Sequence, residues 1–260
     1  MTALALDLDE AVVGRRQRTL LRRARFVGVP LAVALACLAM YLYVQSQDLD
    51  NIERRIITFA NIRRAAGEQI EIALWATALT LVIAVPLGIA LTRPWARRIA
   101  PIVIAVANIG QGIPAIGLLF FVYIQLVRSG STATVLGMAI YAILPVLRGT
   151  MVGLQQVDRG VVKAARGMGM GKGEVLVRVE MPLAVPILLT GVRTALVLTV
   201  ATAVLAAFIG GGTFGSLIIS GQAQGRPLAV AVGSLGAASL AILADWVGGI
   251  VEDLLRPKGL

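Results

Sequence analysis

The sequence contains no histidine and only one cysteine, Cys37. Histidine is the commonest general base and metal ligand near neutral pH, so its absence, with a single thiol, argues against a zinc or copper site. One cysteine cannot form an intrachain disulfide and says nothing about redox compartment. Aromatic residues make up only 5% of the chain and charged residues 15%, while 58% are hydrophobic. A soluble domain carries about 25% charged residues and about half apolar ones, so this composition excludes a water-soluble fold.

What the chain has in abundance is long apolar runs. Crossing a bilayer as a helix takes about 20 residues, and runs of that order fall at about 26–45, 70–92, 99–127, 132–152, 183–209 and 227–250. No segment shows the two-residue alternation of a membrane β-barrel, and lipid tolerates only helices or closed barrels. The expected fold is therefore an all-α, polytopic bundle of about six transmembrane helices. Trp75, Trp95 and Trp246 fall near the ends of these runs and read as interfacial anchors.

The net charge of +10 could suggest nucleic acid, but in a membrane protein its distribution matters more. Placing the N-terminus in the cytoplasm puts Arg15, Arg16, Arg18, Arg22, Arg23 and Arg25 inside. It does the same for Arg93, Arg97, Arg98, the cluster from Arg148 to Arg178, Arg256 and Lys258. Only Arg54, Arg55, Arg63, Arg64, Arg128 and Arg226 fall outside, with Arg193 ambiguous near a helix start. The positive-inside rule thus favours both termini in the cytoplasm and no nucleic-acid role. A signal peptide is not expected, because the first apolar run is too long and no small-residue cleavage site follows it. The charged segment 47–69 is expected to form a short amphipathic helix on the outer surface.

The longest inner connection, residues 153–182, reads GLQQVDRGVVKAARGMGMGKGEVLVRVEMP. Asp158 is a candidate N-cap for a basic helix carrying Ala164 and Ala165. Gly167, Gly169, Gly171 and Gly173 interrupt it, and a second apolar pattern of Val175, Leu176 and Val179 ends at Pro182. The expectation is a short helix, a glycine-rich turn and another short helix along the membrane face. Adjacent alanines would let a partner approach closely; by spacing alone, an ordinary surface loop fits equally well.

This stretch resembles the signature of ABC-importer permeases: Glu-Ala-Ala, three residues, Gly, nine residues, Ile, one residue, Leu-Pro. Here Lys163, Ala164, Ala165, Gly169, Val179, Met181 and Pro182 fall at every interval, with a base at Lys163 where the family has an acid. Further likenesses lie in Asn108-Ile109-Gly110-Gln111-Gly112-Ile113-Pro114-Ala115, Leu144-Pro145-Val146-Leu147-Arg148 and Phe208-Ile209-Gly210-Gly211-Gly212. With Ala164 to Gly169, they resemble the permeases of osmoprotectant importers, the glycine betaine, choline, carnitine and proline class, over about residues 70–250.

The resemblance implies a type I importer permease in the bacterial inner membrane. Its parts would be a basic N-terminus, first helix and outer loop (1–69), a permease core (70–250) with the coupling loop at 158–182, and a cytoplasmic tail (251–260). Lys163, Ala164, Ala165, Gly167, Gly169 and Pro182 would couple to the ATPase. The implied partners are two ATP-binding subunits, a second permease copy or paralogue, an extracytoplasmic solute-binding protein and membrane lipid. No cofactor is implied in this chain; ATP and magnesium would belong to the ATPase.

Two glycine patterns are decoys. Gly171-Lys172 lacks the preceding glycine and following hydroxyl of a phosphate loop, and Gly210 to Gly215 follows a membrane helix rather than a strand, so a tight turn is expected there. Asn108, Gln111 and Pro114 break an apolar run. They either line a translocation path, with Gly110 and Gly112 permitting local unwinding, or tie packed helices together. Asp245 either gates, pairs with a base, or sits at the inner interface near Ile250. A quaternary ammonium solute is usually held in an aromatic cage, which so few rings do not suggest, so selection is expected on the binding protein. The rivals are an intramembrane enzyme, which lacks a catalytic set, a channel, which has no use for a docking loop, and an ABC permease for another amino acid or zwitterion.

Overall fold

The computed structural model describes residues 26–255. The arginine-rich segment 15–25 and the tail residues Arg256 and Lys258 lie outside these. The chain divides into two units, Met1–Asp48 and Leu49–Leu260. The first contains α1, Phe26–Gln45, a 20-residue apolar helix matching the first expected span.

In the second unit, α2 (Asn51–Ile56) is set by a reciprocal cap: Asp50 accepts from the Ile52 and Glu53 N–H groups, and Glu53 accepts from the Asp50 N–H. A short helix is thus present within 47–69, as expected, but it accounts for only part of that segment. At Phe59, under a Thr58 cap, the chain enters α3 (Phe59–Thr92) and runs unbroken through residue 70, where the apolar run begins. Its 34 residues make a helix about 51 Å long, well beyond the hydrocarbon thickness of about 30 Å. The additional turns carry Arg63, Arg64, Glu68 and Glu71, which a hydropathy run does not register.

The third expected span is not one helix. α4 (Ala100–Gly112) and α5 (Ala115–Gln125) meet at a bend of 97°. The break falls at Ile113-Pro114, both extended, because proline drives the residue before it out of the helical region. Gly110 and Gly112, expected to be the unwinding points, stay within α4.

α6 (Gly130–Gln155) is followed by α7 (Arg159–Gly167) and α8 (Lys172–Val175). A π-helical turn, Leu176–Glu180, leads directly into α9 (Met181–Thr202) and a 3₁₀ segment, Ala203–Ile209. Residues Lys172–Ile209 therefore form one 38-residue helical element. The second short helix of the inner loop is not separate. Pro182 does not end it, because it occupies the first turn of α9, where a missing N–H costs little. The chain finishes with α10 (Phe214–Ala223) and α11 (Pro227–Leu255).

α3, α6 and α9 pack on one another, and α11 lies against α9 and α10. Small residues make the close crossings possible. A Cβ on Gly191 would lie 2.5 Å from the Pro145 carbonyl oxygen, and one on Gly153 would lie 2.8 Å from that of Ala184. Polar groups buried between the helices are paired. Gln69 donates to Val200 O at 3.0 Å and accepts from the Phe214 N–H, Thr77 and Thr199 share a 3.0 Å bond, and Thr80 reaches Ala139 O. Replacing Gly191 by leucine is expected to force α6 and α9 apart at a cost of at least about 2 kcal/mol. Thermal unfolding of the purified protein in detergent would show a lower midpoint; an unchanged midpoint would contradict this packing.

Candidate docking loop and translocation face

The inner loop is a compact hairpin. Asp158 accepts from the Gly160 N–H at 2.5 Å, as expected of an N-cap. α7 ends in a complete Schellman motif: Gly169 N–H donates to Arg166 O at 3.0 Å and Met170 N–H to Ala165 O at 3.3 Å. The motif needs a left-handed residue, and Gly169 has φ +89°. The other glycines expected to interrupt the helix do not all do so: Gly167 is the last residue of α7 and Gly173 lies within α8.

Ala165 and Val175 are buried, whereas Ala164 is exposed, so only one of the two alanines is open to a partner. Val161, Ala164 and Met168, spaced three and four apart, form an exposed apolar stripe, with Met168 73% accessible. Lys163 is exposed next to it. Behind the hairpin, Arg93 at the end of α3 pairs with Glu180 in the π turn at 2.6 Å, and Arg178 pairs with Glu174 at 3.0 Å. Arg93, Glu180 and the exposed Met168 carry no sign of these roles in the motif.

On the face formed by α4 and α6, Arg148 Nη2 donates to Asn108 Oδ1 at 2.8 Å, and Gln111 Nε2 donates to Tyr141 O at 3.0 Å. Both amides thus tie α4 to α6. Asn108, Pro114 and Arg148 are nevertheless exposed in the single chain, and Gln111 is half-buried. The hairpin residues and this face are separate places, at the end of α6 and partway along it.

Between α9 and α11, Arg193 holds Asp245 through two bonds, Nε to Oδ1 at 2.7 Å and Nη2 to Oδ2 at 2.6 Å. Its third nitrogen lies 3.5 Å from Glu252, which also accepts from Thr190. Asp245 thus pairs with a base. α11 continues to Leu255, ten residues beyond Asp245. Gly210 to Thr213 form a turn fitted against α3, and Gly215 already lies within α10. Gly212 N–H donates to Glu68 at 2.7 Å, and a Cβ on Gly212 would collide with that carboxylate.

A multi-helix apolar bundle with a rigid basic hairpin at one end and a broken helix beside it defines a membrane permease subunit. Such a subunit is a transport component and not an enzyme. The family described as "binding-protein-dependent transport system inner membrane component" matches residues 84–257, and the chain belongs to that family. Such permeases act with a separate ATP-binding subunit and a substrate-binding protein.

The glycine betaine/carnitine/choline transport system permease protein OpuCB of Bacillus subtilis (strain 168) is 37% identical over 194 residues, covering 75% of this chain and 88% of the relative. The carnitine transport permease protein OpuCB of Listeria monocytogenes is 34% identical over 200 residues, covering 77% and 90%. In fold, the chain is similar to an inward-facing MetNI methionine ABC transporter structure, with a TM-score of 0.67 at 21% identity, covering 76% of this chain and 98% of that one. The chain is thus a multi-pass permease of the type I ABC importer fold.

Proposed function

We propose that this chain forms half of the translocation path of an ATP-driven importer for compatible solutes of the glycine betaine, carnitine and choline type, in a bacterial inner membrane with both termini cytoplasmic. The observation that carries the coupling role is the hairpin at 158–182, held in one shape by the Asp158 cap, the Schellman turn and the Arg93–Glu180 pair. An apolar stripe of Val161, Ala164 and Met168, flanked by Lys163, suits a groove on an ATP-binding subunit. Two such subunits carry ATP and magnesium, and their closure, transmitted through Lys163 to Pro182, switches the bundle between inward- and outward-facing states. A second permease copy or paralogue completes the pore, and an extracytoplasmic binding protein selects the solute.

The solute class rests on the relatives, whose names specify glycine betaine, carnitine and choline. The exposed Asn108 and Pro114 and the half-buried Gln111 lie on the face assigned to the path. The broken α4–α5 pair supports this, since irregular backbone at membrane depth is tolerated where it lines a cavity or protein. Their bonds to α6 serve packing at the same time.

The test is uptake of labelled glycine betaine and choline by proteoliposomes holding this chain with its ATP-binding and solute-binding subunits. Import is expected to require ATP and the binding protein. ATP-stimulated activity that moves neither solute would overturn the solute class while leaving the permease assignment in place.

A further inference from the structure

Two arginines of the bundle lie away from the helix ends, and they are treated very differently. Arg193 is neutralised by Asp245 and Glu252. Arg148 has no carboxylate within 4.0 Å among the described residues; its recorded partner is the neutral amide oxygen of Asn108 at 2.8 Å.

The depth of Arg148 follows from helix length when α6 is taken as spanning the bilayer. α6 has 26 residues, Gly130–Gln155, so it is about 39 Å long and Arg148 stands about 10 Å from its docking-loop end. A helix of that length centred on a hydrocarbon layer of about 30 Å overhangs by about 4–5 Å at each end, which leaves Arg148 inside the layer. Its partner Asn108 lies eight residues, about 12 Å along α4, from Ala100, the first residue of that helix. The bond to Asn108 holds the guanidinium there and opposes its reaching down to the interface. With its head held by Asn108 rather than extended to the interface, an exposed cation without a carboxylate partner is disfavoured in lipid, which favours a surface covered by protein or lining a wet path.

We infer that Arg148, positioned by Asn108, is a carboxylate-binding station on the translocation path. The guanidinium has five N–H donors in a planar fork suited to a carboxylate, and the bond to Asn108 uses one of them. A zwitterionic solute such as glycine betaine or carnitine brings the missing negative charge with it; choline, an alcohol, does not. The inference rests on the proposed solute class and adds to it a discrimination between carboxylated and uncharged-tail solutes inside the permease. The aromatic cage that the chain lacks is not required for this, because the contact reads the opposite end of the solute.

The test uses the complete reconstituted importer, comparing wild type with Arg148→Gln and Arg148→Lys and measuring labelled glycine betaine and choline side by side. The readout is the ratio of glycine betaine to choline import at limiting solute. Arg148→Gln is expected to lower that ratio about tenfold, the size of one charge-assisted bonding pair, and Arg148→Lys to restore part of it. A ratio unchanged in Arg148→Gln overturns the inference. A parallel loss of both solutes also overturns it and points instead to a carboxylate of the second permease copy as the partner. Where the importer moves glycine betaine but not choline, the comparison between the two variants decides: equal loss in Lys and Gln overturns a charge-reading role. Failure of the wild type to move either solute identifies the solute class itself as wrong, and the inference falls with it.

Discussion

Replacing Gly169 by leucine is expected to leave the protein folded in the membrane while cutting ATP-driven uptake about five- to thirtyfold. The reasoning is conformational. Gly169 has φ +89°, and both bonds of the Schellman motif that ends α7 depend on that left-handed turn. A side chain in the left-handed region costs about 1–2 kcal/mol, which is about five- to thirtyfold in the population of the docking-competent turn. A Cβ placed there meets no atom of this chain within 4 Å. Gly169→Ala should therefore lose nearly as much as Gly169→Leu, whereas Gly173→Ala, within α8 and equally open, should lose little. Uptake at the wild-type rate in Gly169→Ala would show that this turn does not set the docking geometry. ATPase activity measured in the same vesicles separates uncoupling from failed assembly: hydrolysis that persists without uptake is the signature of a misplaced hairpin.

The second large effect is expected at Arg193. Its guanidinium ties α9 to α11 through two bonds to Asp245 and a longer contact to Glu252. Gly248 and Gly249 leave room for its stem and head, since a Cβ on Gly248 would lie 2.9 Å from Arg193 Cγ. The side chains of Arg193, Asp245 and Glu252 are 22%, 47% and 30% accessible, so removing one member costs less than in a fully buried pair, on the order of 1–3 kcal/mol. Arg193→Ala removes the cation that two carboxylates share, so it should cost more than Asp245→Ala, which leaves Glu252 in place. A loss of about 2 kcal/mol would lower the unfolding midpoint by about 4–8 °C. The triple replacement Arg193→Met, Asp245→Leu, Glu252→Leu should recover most of that loss, because apolar groups of similar size often substitute for an ionic cluster packed between helices. If Arg193→Ala unfolds at the wild-type temperature, the cluster does not hold α9 and α11 together.

The parts of this architecture that were legible in the sequence are those written locally. Membrane helices announce themselves as apolar runs, so five of the six expected spans correspond to single helices. The spacing from Lys163 to Pro182 marks the hairpin because each of its signals acts on residues close in the chain. The N-cap at Asp158 is one such signal and the glycine at Gly169 another. The start of α3 was hidden because its outer turns carry a charge every few residues, which ends an apolar run without ending a helix. The right-angle bend was only half visible. Proline predicts a break, but the 97° turn is set by packing of α4 and α5 on α6.

Long-range pairings left no mark in the sequence. Arg193 and Asp245 are 52 residues apart, and Glu68 reaches Gly212 across 144. A charge in an apolar run signals that a partner is needed but not which one. That is why Asp245 could be read as a gate, a pair or an interfacial residue until α9 and α11 were seen side by side. Arg148 illustrates the same limit from the other direction, because in the sequence it counts simply as one more inner positive charge.

The unbroken helical element from Lys172 to Ile209 bears on mechanics. With 38 residues it is about 57 Å long, and its first residues belong to the hairpin itself. No loop intervenes to absorb motion between the site of ATP-driven movement and the far side of the membrane. Under the proposed docking, such an element would act as a lever held at its hairpin end by the ATP-binding subunit. A tilt of about 10° at that grip would sweep the opposite end through about 10 Å, enough to open or shut a passage for a small solute without any helix being remade.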